Sequence, residues 1–116
     1  MIGLKNGLFE FQENCVTHLL DITLNNNNEK TTVIKAPTGA GKTIILIDYI
    51  DKYFNNTSES IAFIWICPGQ GNLEEQSMFK MIKHLPHINC KNLFDVISSG
   101  FNSNEVTFIN WELINN

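Results

Sequence analysis

Eight consecutive residues carry the most chemistry in this chain: Ala36-Pro37-Thr38-Gly39-Ala40-Gly41-Lys42-Thr43. They follow the phosphate-binding pattern G-x-x-x-x-G-K-[ST], with Ala36 in place of the first glycine. Gly39 and Gly41 let the backbone turn its N–H groups inward and close on phosphate oxygens. A helix starting near Lys42 adds its positive N-terminal dipole. Lys42 then reaches the β- and γ-phosphates, and the Thr43 hydroxyl binds Mg²⁺. Pro37, Thr38 and Ala40 complete the loop. The plain alternative is a glycine-rich turn between a strand and a helix. The β-branched run before the loop and the apolar-faced helix after it favour the nucleotide.

Other residues compete less well. His84, His87 and Cys90 stand at three-residue steps, as metal ligands can. Pro86 breaks the helical geometry between them, and a polar loop is the better reading. Glu74 and Glu75 read as first-turn acids that favour a helix dipole rather than as a catalytic pair. His18 reads as a packed or surface side chain. Asp48 and Asp51 fall on the solvent side of their helix by spacing. Trp65 and Phe63 read as core. Trp111 has a ring that can stack on a base, but its apolar strand favours burial.

These groups need elements to hold them. Apolar positions at 3–4 spacing make residues 9–24 an amphipathic helix, closed by the polar NNNNE at 25–29. TTVIKA (31–36) reads as the strand that leads into the loop. Residues 42–54 keep a helical apolar face through Ile44, Ile47, Ile50 and Phe54, despite the low helix propensity of their β-branched run. IAFIWIC (61–67) is apolar on both faces, as a central parallel strand is. PGQGN breaks it, and residues 73–85 form the next helix until Pro86. LFDVIS (93–98) and EVTFIN (105–110) read as two further strands. Strands alternating with helices imply βαβ units, a parallel sheet and an α/β fold.

Composition is permissive. The chain has 116 residues, 43% of them hydrophobic, enough for one domain with a core. A net charge of −4 argues against an unfocused basic nucleic-acid binder, but not against a local groove. All eight basic side chains are lysine. Three cysteines without a C-x-x-C step fit a reducing cytoplasm. No signal peptide or membrane-spanning run is evident, so a membrane partner is not expected.

APTGAGKT resembles motif I of superfamily-two helicases. The block IAFIWICPGQGNLEEQS (61–77) resembles their motif Ia, in the form found in the Res subunit of type III restriction enzymes. There Pro68-Gly69 replaces the Pro-Thr of the DEAD-box form, and Leu73 to Gln76 keeps the three-residue step. EVTFINWELI (105–114) resembles the Asn-Trp-Glu strand that follows. FEFQENC (9–15) resembles the arm whose Gln contacts adenine. The resemblance spans residues 9–114. It implies a RecA-like three-layer α/β domain, here its N-terminal part, with residues 1–30 as a helical adenine-contacting arm. It implies ATP and Mg²⁺ as cofactors, with Gln12 on the adenine. It also implies DNA, touched at its backbone by Pro68, Gly69, Gln70, Gly71, Asn72 and Gln76. A neutral loop can do this with N–H donors. A simple strand-to-helix turn with Asn72 as helix cap is the bland reading, and the two coexist. The other partners implied are the rest of the motor or a restriction-modification subunit.

Two catalytic parts of that family are missing. Motif II ends a strand in Asp-Glu, and this sequence contains no such pair. Asn110 with Glu112 is a poor substitute, because an amide has no charge for Mg²⁺. There is no arginine for an arginine finger, a group worth roughly 10³–10⁵ in turnover. Efficient hydrolysis by this chain alone is therefore not expected. Two other readings stay open: a free-standing nucleotide-binding module, and an inactive gene remnant.

Overall fold

A glutamine side chain starts the first helix. Gln12 is the third residue of α1 (Glu10–Leu20), and its Oε1 accepts from the Phe9 N–H at 3.0 Å. That closes one orphan donor at the helix start, half of a capping box. Glu10 and Glu13 add negative charge to the same turn. The computed structural model describes residues 8–25, 33–35, 41–68 and 73–112. The chain divides into two compact units, Met1–Ser58 and Glu59–Asn116.

In the first unit α1 runs into one π-helical turn, Asp21–Asn25. Thr23 explains part of it. Its Oγ1 donates to the Leu19 carbonyl at 2.8 Å and accepts from the Tyr49 hydroxyl at 3.1 Å. Such back-bonding loosens the helical ladder. Burial raises the Tyr49 pKa above its ordinary value, so its hydroxyl stays neutral and able to donate. Tyr49 lies on α2 (Lys42–Asn55). Val16, Leu19 and Ile45 form the shared core of α1 and α2, with Leu8, Cys15, Leu20 and Ile34 packed around them.

Two expectations change here. Residues 33–35 belong to no strand, and Val33 is 75% exposed. A β-branched run forms a strand only where a neighbouring strand takes its N–H and C=O groups. Asp48 is buried rather than solvent-facing. It tolerates this because Lys52 Nζ lies 2.7 Å from its Oδ2.

The second unit is a parallel sheet of three strands in the order β1-β3-β2. Its elements are β1 (Phe63–Cys67), α3 (Leu73–His84), β2 (Asn89–Asn92), α4 (Leu93–Ser99) and β3 (Glu105–Asn110). Helices return the chain between parallel strands, as the alternation required. β3 is the central strand: Val106, Thr107, Phe108 and Ile109 are all buried. Phe108 packs against Trp65 on β1, ring centroids 5.1 Å apart. Met81, Leu85 and Ile88 are buried at and beyond the end of α3.

Three differences from the sequence reading have clear causes. Residues 93–98 are helix, not strand. Asn92 caps them: its Oδ1 accepts from the Asp95 N–H at 2.9 Å, and Asp95 Oδ2 accepts from the Asn92 N–H at 3.1 Å. This reciprocal cap outweighs the β propensity of Phe94, Val96 and Ile97. The polar stretch Asn89–Asn92 is a strand, because it pairs with Glu105–Phe108 of β3. Lys91 anchors it, 3.0 Å from Glu105 and donating to Ser99 and the Gly100 carbonyl. Finally, β1 pairs on one side only among the described residues, and Ile64 and Ile66 are about half exposed. An apolar run shows that a strand can be central, not that it is.

The central role of β3 sets an expected outcome. Phe108→Ala should cost about 3–5 kcal/mol in urea unfolding, the range for an aromatic lost from a core. Ile64→Ala should cost about 1 kcal/mol or less, since that side chain already meets water.

Candidate nucleotide and nucleic-acid sites

Helix α2 begins in an uncommon way. Its N-cap is Gly41, at φ 77°, ψ 40°, in the left-handed region. The residue offers no side-chain acceptor, so no cap bond is made there. Its carbonyl accepts from Ile45 N–H at 3.1 Å, and the helix starts cleanly. The other described α-helices carry acids in their first turn: Glu10 and Glu13, Glu74 and Glu75, Asp95. The first turn of α2 carries none. Orphan N–H donors, the dipole and no competing carboxylate make this helix end a place for an anion. Lys42 is exposed and Thr43 is half-buried at its first two positions.

Gln12 belongs to the same place. It is 1% exposed, and a Cβ on residue 41 would collide with its Nε2. Glycine is therefore required twice at this position, by backbone conformation and by the neighbouring amide. The side chain that starts α1 also packs on the start of α2. Spacing could not reveal this contact, because it joins residues 29 positions apart.

The other residues of the loop, Pro37, Thr38, Gly39 and Ala40, lie outside the described residues, as do Gly69, Gln70, Gly71 and Asn72. Pro68 and Gln76 are described, and both are exposed. They flank the strand-end edge of the second unit, where parallel α/β sheets present their ligands. Cys67 closes β1, paired in register with Asn110 of β3. Cys67 Sγ lies 3.9 Å from Ser77 Oγ, and burial pushes its thiol pKa upward. Asn110 Nδ2 donates to Glu74 Oε1 at 3.4 Å, and its Oδ1 accepts from the Glu112 N–H at 2.9 Å. The first two turns of α3 are thus tied to the ends of two strands, Glu74 to Asn110 and Ser77 to Cys67. The tie from Asn110 to Glu74 spans 36 residues and left no sequence signal. Because its amide serves these two neighbours, Asn110 acts here as a clamp between elements.

Among the described residues, no group of three or more His, Cys, Asp or Glu is arranged to hold a metal ion. His87 is exposed, while Cys90 is half-buried with its Sγ 3.8 Å from the Ile88 carbonyl. Burial pushes the Cys90 thiol up to about 11. Among the described residues, no helix is long and apolar enough to cross a membrane.

Two measurements check this geometry. Gly41→Ala should destabilise the protein through left-handed strain of roughly 1–2 kcal/mol plus the collision with Gln12. Combined with Gln12→Ala, the loss should fall below the sum of the single losses by about 0.5 kcal/mol or more in urea unfolding. Strict additivity would show that the two residues do not touch. The second concerns Cys90. A raised thiol pKa means little thiolate below it, so iodoacetamide labelling of Cys90 should stay slow at pH 8 and climb as pH approaches about 11.

No curated protein and no solved structure gives a significant match to this sequence. A family model does match, and it covers residues 5–115. Its description is type III restriction enzyme, res subunit. The match includes the loop, Gln12 and both flanks of the strand-end edge, and with it the incomplete RecA-like α/β character of the fold is accounted for. The chain belongs to the type III restriction enzyme res subunit family, and carries that family's helicase-like ATP-binding domain.

Proposed function

We propose that this chain is an N-terminal part of a DNA helicase or translocase motor that binds Mg·ATP and meets DNA at its backbone. The observation that carries the reading is the start of α2: a left-handed glycine N-cap, no cap side chain, no first-turn acid, then Lys42 and Thr43. Those residues fit a nucleotide. The backbone N–H groups from Thr38 to Gly41 and the helix dipole hold phosphate oxygens. Lys42 neutralises charge on the β- and γ-phosphates, and the Thr43 hydroxyl is a ligand for Mg²⁺. Gln12 sits against Gly41, where an amide can both brace that residue and meet the adenine edge. Mg²⁺ held by the Thr43 hydroxyl would supply positive charge that offsets the charge of the phosphates.

DNA contact is assigned to Pro68, Gly69, Gln70, Gly71, Asn72 and Gln76. The support is the family and the position of Pro68 just past the carboxyl end of β1. Backbone N–H groups there can hold phosphates without reading sequence. Hydrolysis requires an acidic pair for Mg²⁺ and water, and an arginine for the transition state. This sequence contains neither an Asp-Glu pair nor an arginine. Both are assigned to the rest of the motor, and a restriction-modification subunit is its natural partner. The cysteine pattern suits a reducing compartment such as the cytoplasm.

Isothermal titration with Mg·ATP tests the site. The wild-type protein should bind, and Lys42→Ala should weaken binding at least about tenfold, as expected when a charged phosphate contact is lost. Equal affinities would remove the site assignment. In a coupled assay the 116-residue protein should show no DNA-stimulated ATP turnover above background. Robust turnover that disappears in Lys42→Ala would mean that the chain has its own catalytic groups.

A further inference from the structure

We propose that Trp111 is a base-stacking residue for single-stranded nucleic acid, presented beside the loop that begins at Pro68. This rests on the nucleic-acid reading given above and extends it from the backbone to the bases. The apolar strand it follows favoured burial of this indole, yet it is 47% exposed. The other tryptophan, Trp65, is half-buried with its ring 5.1 Å from Phe108, as a core side chain should be.

Trp111 is also held in place. It follows Asn110, whose amide donates to Glu74 and accepts from the Glu112 N–H. Residues on both sides of the indole are therefore fixed, which lowers the ordering cost of a stacking contact. Register puts it in the right place. Cys67 pairs with Asn110, so Pro68 and Trp111 are the first residues past the ends of two adjacent strands. Adjacent strands lie about 4.8 Å apart, so a nucleic-acid strand reaching the Pro68 loop passes the indole.

The surroundings favour a base over other occupants. Asn110 and the exposed Glu112 flank the ring in the chain. The Glu112 carboxylate repels a phosphate, so the ring meets a base rather than the backbone. Stacking of this kind tolerates any sequence, because every base has a π-face.

Intrinsic fluorescence tests the assignment in the 116-residue protein. In a Trp65→Phe background only Trp111 emits. Titration with a twelve-nucleotide oligothymidylate should quench that emission by a third or more at saturation. An abasic oligomer of equal length and charge should leave it unchanged. Anisotropy of the labelled oligothymidylate should show Trp111→Ala, without the Trp65 change, binding about 5- to 150-fold more weakly, the range for one lost stack. Trp111→Phe should recover most of the affinity. Saturable binding with no quenching, and with Trp111→Ala equal to wild type, would overturn the stacking role while leaving backbone contact intact. Absence of binding to any oligomer at low salt would remove the nucleic-acid reading and the stacking role together. A dimer in sedimentation that Trp111→Ala dissolves would assign the indole to a protein contact instead, and overturn the proposal.

Discussion

Helix α2 can start where it does only because residue 41 has no side chain. The backbone there is left-handed, a region that costs an ordinary residue roughly 1–2 kcal/mol. The space a side chain would need is occupied by the buried amide of Gln12. One constraint therefore does three things. It turns the chain from the loop into the helix. It leaves the first N–H groups of α2 without an internal acceptor. It also seats α1, whose own first turn is closed by the other end of the same amide. The start of α2 and the packing of two helices come from a single absent Cβ.

The second unit depends on a strand rather than a helix end. β3 pairs on both sides, and four of its six residues are buried. That burial carries the sheet, and it leaves β2 free to be polar and short. It also lines up Cys67 with Asn110, and so gathers Pro68, Trp111 and the first turn of α3 at one edge. An asparagine is well suited to this junction. Its amide offers a donor to Glu74 and an acceptor to the Glu112 N–H at once. An aspartate would meet Glu74 with like charge.

How much was legible in advance differs between elements. The helix at 42–54 and the strands at 61–67 and 105–110 carried strong periodicity or strong apolar runs, and they lie where that pattern put them. Residues 93–98 misled because a β-branched run also tolerates a helix once Asn92 and Asp95 cap it. Asn89–Asn92 was silent because a four-residue polar strand exists only through its partner. Asp48 misled because spacing takes no account of a lysine four residues on that can neutralise a buried carboxylate. Gly41, Lys42 and Thr43 could be proposed as a site from the sequence because phosphate chemistry nearly forces residue types of this kind. That Gln12 touches Gly41 was not readable, because no periodic signal links an arm to a loop.

The sequence by itself determined a glycine, a lysine and a threonine at fixed spacing, an α/β alternation and membership of a family. It also determined what is lacking, since an absent arginine and an absent Asp-Glu pair need no coordinates. Tertiary structure decided partnership and exposure. Only pairing made β3 central and β1 half-exposed, only burial set Gln12 against Gly41, and only strand register left Trp111 in water beside Pro68. The physical reason is that residue type limits what a group can do, while backbone pairing and burial act between residues far apart in the chain and choose where it does it.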